Sequence, residues 1–176
     1  MFTYGKSSDL NMEEVEAKYG NTQAPTYIED IVEDTLFNLS DLIEKLGLKT
    51  PRIVYGKKGT WLAEYILGTY DWPVIIINIK ELKKQDMIEE SVINSLVHEL
   101  VHAALEKYGV KGIFYKHDED FVQELADHYS WHYNPDAIKN QVEEKANEIK
   151  KMEDFYICMA DSDEDIYASL SKKWIM

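Results

Sequence analysis

The chain has a single cysteine, Cys158, among 176 residues. That excludes a disulfide framework and any zinc ribbon built from cysteines. Arginine is as scarce: Arg52 is the single arginine among 19 lysines and arginines. Nucleic-acid binders use arginine for bidentate contacts and carry a basic face. Here the formal net charge is −14 and the isoelectric point lies near 4.7, so the field of the whole molecule repels phosphate. The acidity argues against direct nucleic-acid binding. It reads as a solubility feature, with a DNA-mimicking surface as the rarer meaning. Long apolar runs are missing as well. No run, that over residues 74–77 included, approaches the about 20 residues that cross a bilayer, so no membrane association is expected. No apolar run follows a basic start, which leaves no signal peptide to expect and makes a reducing, cytoplasmic setting the expectation.

Hydrophobic residues make up 45% and charged residues 30%, the balance of a globular protein long enough to bury a core. The pattern divides into a polar arm over 1–24, a main domain over 25–134 and a charged helical extension over 135–176. In the arm, one short helix fits residues 12–18, with loose packing. Thr26 and Glu29 stand at capping-box spacing. Ile28, Ile31, Val32, Leu36, Leu39, Leu42, Ile43 and Leu46 then recur at helical spacing until Gly47. Three β-like segments follow, over 52–55, 60–67 and 74–79, parted by the turn signals at 56–59 and 68–73. A second helix is expected from about Asp86 to Tyr108, stopped by Gly109. A third runs over about 119–132 until Pro135, and a charged helix covers 137–152. The order predicts an α+β fold: a small, three-stranded twisted sheet packed on helices, with a C-terminal helical extension.

The central helix contains His98-Glu99-Leu100-Val101-His102. On a helix, residues four apart share a face, so His98 and His102 can hold one metal ion together. Imidazole suits Zn²⁺, and a catalytic zinc takes three protein ligands plus water. Glu99 flanks the pair and can reach that water without ligating the metal, the arrangement of H-E-x-x-H metallopeptidases in which the glutamate is general base. In a chain of this composition the motif arises by chance in about one per cent of cases. Two residues downstream are candidates for the third ligand: His117, fifteen residues after His102, and Glu124, twenty-two after it. If His117 ligates, Glu124 can instead orient an imidazole from outside.

These residues resemble the SprT-like metallopeptidases. That family reads H-E-x-x-H-A near a helix end, then a loop, then a third histidine in H-x-x-x-F at the start of the next helix. This chain reads HELVHAAL from His98 and HDEDF from His117 to Phe121. Upstream, Gly59, the strand over 60–67 and the strand over 74–78 follow the family order, so the resemblance covers about residues 28–132. It implies a zincin-like core with one Zn²⁺ per chain, held by His98, His102 and His117, and Glu99 as catalytic base. The substrate would be protein or peptide. The strand Val74, Ile75, Ile76, Ile77 and Asn78 would run along the cleft as an edge that pairs with extended substrate. One member of the family acts on proteins crosslinked to DNA, so the resemblance allows a nucleic-acid partner that the charge argues against. The alternative from another class is a non-catalytic binding or assembly module stabilised by its metal, or an acidic DNA mimic.

Other motifs carry less. His128 and His132 stand four apart and share a face with Glu124; they suit polar packing beside Tyr129 and Trp131, or an accessory metal site. The acidic run at 161–165 lacks the glycine and the final glutamate of a calcium loop, with Ile166 and Lys172 in their places.

Overall fold

The computed structural model describes residues 12–20, 22–60, 62–69, 72–110 and 115–162. The helices are α1 (Met12–Tyr19), α2 (Thr26–Asn38), α3 (Ser40–Lys45), α4 (Ile79–Leu82), α5 (Ile88–Lys107), α6 (Tyr115–Trp131) and α7 (Pro135–Ser162). Between α3 and α4 lie the strands β1 (Arg52–Gly56), β2 (Ala63–Thr69) and β3 (Trp72–Asn78). The fold is a mixed α+β arrangement in which a small sheet is backed by helices.

The sheet order is β1-β3-β2. β3 pairs in parallel with β1, Arg52 opposite Val74, and antiparallel with β2, Ala63 opposite Ile77. This overturns the expectation that Val74, Ile75, Ile76, Ile77 and Asn78 form a free edge for substrate: they are the central strand. Ile75 and Ile77 enter the main core, while Val74 and Ile76 pack with Tyr19 on the opposite face. An unbroken apolar run is what a strand covered on both faces requires. The outer edges belong to β1 and β2. Part of the β1 edge is taken by the N-terminal segment, where Thr22 N donates to the Tyr55 carbonyl and Lys57 N to the Tyr19 carbonyl. The end of the arm is therefore packed rather than loose, with Tyr19 and Ala24 buried. Gly56 is required at this contact, because a Cβ there would stand 2.8 Å from the Tyr19 carbonyl oxygen.

Asn78 closes β3 and is fully buried. Its Oδ1 accepts from Glu81 N at 3.2 Å, capping α4, and its Nδ2 donates to the carbonyls of Lys58 and Gly59 at 3.1 and 3.3 Å. One side chain thus fixes the β1–β2 connection to the end of β3. Removing it takes these partners from the Glu81 amide and from the Lys58 and Gly59 carbonyls, and leaves a hole at a fully buried position. Asn78→Ala is expected to cost about 2–4 kcal/mol, read as a lower urea midpoint with an unchanged m value. A midpoint like that of the wild type would show that the turn holds itself.

The helices differ from the sequence reading at their ends. The expected Thr26 side-chain cap does not form. α2 starts on Pro25, whose carbonyl accepts from Ile28 N and Glu29 N, and α5 starts on Met87. The expected single helix over 28–46 breaks at Leu39 into α2 and α3. The stop signals hold: Gly47 and Gly109 both have positive φ, and the next amide turns back to Ile43 and Leu105 respectively. α7 is longer than the expected 137–152, and its stripe of Ile138, Val142, Ala146 and Ile149 joins the same core as α5 and β3. At the centre lies α5. Between residues 96 and 105 every residue is buried except His98, which is partly exposed. No helix among the described residues is long and apolar enough to cross a membrane.

Candidate metal centre

His98 and His102 lie on one face of α5, their ring centroids 4.8 Å apart and their Nε2 atoms 3.1 Å apart. α6 packs against that face and brings in Glu119. Its Oε1 is 3.1 Å from His98 Nε2, and its Oε2 is 2.9 Å from His102 Nε2. The three residues form a group of possible metal ligands whose donor atoms all fall within 4.8 Å of one another. Zinc bonded to nitrogen and oxygen at about 2.0–2.2 Å sets its tetrahedral ligands about 3.4 Å apart. The observed spacing is a few tenths of an ångström tighter, so the donors fit such an ion with small side-chain adjustments. The donor set makes the same point chemically: two imidazole nitrogens and a carboxylate converge on one point, which a cation satisfies.

Burial grades across the group. His102 is fully buried, His98 keeps 12% of its side chain exposed and Glu119 keeps 43%. The centre thus has a closed floor and one side that faces solvent, as a catalytic site needs for its exchangeable position. Glu99, next to His98, is 2% exposed. Burying a carboxylate inside the central helix is costly.

Burial pushes the His102 imidazole down from 6.5 to about 4; Glu119 pulls upward and His98 pushes further down, and burial prevails. His102 is neutral at pH 7, the form that ligates a metal without expelling a proton. Glu119 is held down at about 2: burial alone would raise its carboxyl, but the contacts with His102 and then His98 together outweigh it. A pH dependence follows for the metal-free protein. The unfolded chain protonates this histidine near 6.5 while the folded chain resists until about 4. The stability that His102 contributes is therefore complete above pH 6.5 and is lost as the pH falls through that window, roughly 3 kcal/mol in all. The urea midpoint of zinc-stripped protein is expected to drop between pH 7 and 4.5, and His102→Gln to flatten that drop. An equally steep profile in the variant would place the titrating group elsewhere.

Of the residues singled out in the sequence, His98 and His102 stand in this group and Glu99 does not; Glu119, which completes it, was not among the sequence candidates. Of the other candidates, the side chain of His117 lies outside the described residues. Glu124 is not brought to the pair: it is exposed, and it lines a separate cavity of about 300 Å³ with Phe121, Leu125, His128, Tyr129 and Gln141. Five residues separate Glu124 from Glu119, a rotation that carries it well off the α5 side of the helix. His128 and His132 are exposed, with ring centroids 5.4 Å apart, and the His128 ring meets Tyr129 edge-on. One signal could have pointed to Glu119. Gln123 and Asp127 follow it at steps of four on α6, a polar row that answers Asn94, His98 and His102 on α5.

No family model, curated protein or solved structure matches this chain.

Proposed function

We propose that the protein is a zinc-dependent metallopeptidase with a zincin-like core resembling the SprT-like enzymes, in which His98, His102 and Glu119 hold the metal and Glu99 is the general base. The observation that carries this reading is the convergence of Glu119 on the two histidines of an H-E-x-x-H helix. A purely structural metal site has no use for a buried glutamate at position 99, so that residue favours an enzyme over a metal-stabilised binding module.

When bound, zinc would supply a water acidified to a pKa of about 7 and would polarise the scissile carbonyl. The protein's own residues do the rest. The Glu99 carboxylate takes the proton of the attacking water and returns it to the leaving amine. His102, neutral and fully buried, presents its Nε2 from the floor of the site, and the partly exposed His98 marks the solvent side. An extended peptide would pair with β2, the antiparallel outer strand that packs against α5. This moves the substrate edge from residues 74–78 to residues 63–69.

Elemental analysis of the untagged protein, combined with digestion of an unfolded protein substrate, tests the proposal. About one zinc per chain is expected, with cleavage that a chelator stops and added zinc restores. Protein that takes up no zinc would overturn the metal centre. Full occupancy without cleavage of any unfolded or peptide substrate would leave the non-catalytic module.

A further inference from the structure

The helices that carry the centre meet along two polar rows. Asn94, His98 and His102 follow one another at steps of four on α5, and Glu119, Gln123 and Asp127 do so on α6. Steps of four keep each row on one helix face. The rows run in opposite directions: Glu119 meets His98 and His102 at one end, and Asn94 meets the C-terminal half of α6 at the other.

That second end is a closed set of hydrogen bonds. Asn94 Nδ2 donates to Asp127 Oδ1 at 2.9 Å and to Ser130 Oγ at 3.2 Å. Gln123 Nε2 donates to the same Asp127 oxygen at 2.7 Å and to Asn94 Oδ1 at 3.4 Å. Ser130 Oγ in turn donates to the Ala126 carbonyl. The donors and acceptors of the Asn94 amide are thus used in one orientation. Beneath this set the helix contact is apolar, with Val97 on α5 and Val122 and Ala126 on α6 in the shared core. Apolar burial is non-directional and tolerates small slides and rotations, whereas a hydrogen bond weakens steeply when its partners move. Glu119 itself is 43% exposed, so packing alone does not hold its carboxylate.

We propose that Asn94 is a positioning residue for the metal centre: its amide locks the register and rotation of α6 on α5 and so keeps the Glu119 carboxylate on the His98 and His102 imidazoles. On α5 the lock lies one helical turn, about 6 Å, from His98; on α6 Gln123 lies one turn and Asp127 two turns, about 12 Å, from Glu119. A slide at Asn94 therefore moves Glu119 by the same amount. The proposal rests on the metal centre argued above.

Zinc affinity, measured by competition with a chromophoric chelator, tests it on wild type, Asn94→Ala, Asn94→Asp and Asn94→Asp/Asp127→Asn, alongside the visible spectrum of the cobalt(II) forms. Asn94→Asp sets two carboxylates against each other, and the double variant restores one donor and one acceptor in reversed order. Both single variants are expected to weaken zinc about 10- to 100-fold and to alter the cobalt spectrum. The double variant is expected to return to near wild-type affinity. Folded single variants, verified by circular dichroism, that bind zinc as tightly as the wild type would overturn the positioning role while leaving the centre intact. A loss of thermal stability without a change in zinc affinity would overturn it in the same way, since the network would then only fasten the helices. Wild-type protein that binds no zinc would overturn the centre and the proposal together.

Discussion

Glu99→Gln is expected to lower peptide hydrolysis by about 10²- to 10⁴-fold, the usual worth of a general acid–base group, while zinc content stays at that of the wild type. The amide is nearly isosteric with the carboxylate, so the buried position is still filled, but it cannot accept the proton of the attacking water. Glu99 is 2% exposed in a helix whose neighbouring positions, His98 apart, are buried, which makes the isosteric change the informative one. Both quantities are read on the same preparation, by turnover of a peptide substrate and by elemental analysis. Retained activity would remove Glu99 from the chemistry; joint loss of activity and zinc would make it part of the metal shell.

Glu119→Ala is expected to abolish stoichiometric zinc, weakening binding by about 10²-fold or more, since each of four ligands to a protein-bound zinc is worth about 3 kcal/mol. The reason is geometric: Glu119 is the carboxylate within 3.1 Å of both Nε2 atoms. His117→Ala and Glu124→Ala are expected to keep about one zinc per chain. The three variants separate the competing ligand sets directly. Loss of zinc in His117→Ala with retention in Glu119→Ala would restore the three-histidine site that the SprT-like resemblance implies. It would also make Glu119 a residue that orients imidazoles instead of binding metal.

The parts of the fold and site that were legible in the sequence are those set by contacts within one helical turn. Two histidines four apart are held on one face by helix geometry alone, whatever α5 packs against. Gly47 and Gly109 stop their helices through their own backbone conformation. The third member of the candidate group was not legible in the same way. Glu119 is one of several acidic residues in a short stretch, and the rotation of α6, which begins at Tyr115 rather than at residue 119, selects it. The polar rows of α5 and α6 could have narrowed the choice, because each repeats at four, but their pairing across the connecting segment is a tertiary fact. The strand over 74–78 carried its own warning. A run of four apolar residues without alternation suits a strand buried on both faces, and the cleft-edge reading overrode that signal.

Local chemistry by itself therefore determined that this protein has a helix able to present two imidazoles and a glutamate together, that glycines end its helices, and that its charge is strongly acidic. Only the tertiary structure decided that β3 is central, leaving β2 as the outer strand beside α5. It also decided that the charged helix α7 belongs to the core and that Glu119 meets the histidines. Short-range geometry follows from bond lengths and the helical repeat, and those are written into neighbouring residues. Which faces meet is decided by how apolar surface is buried and buried polar groups are matched across the whole chain, a sum over distant residues that no single stretch contains.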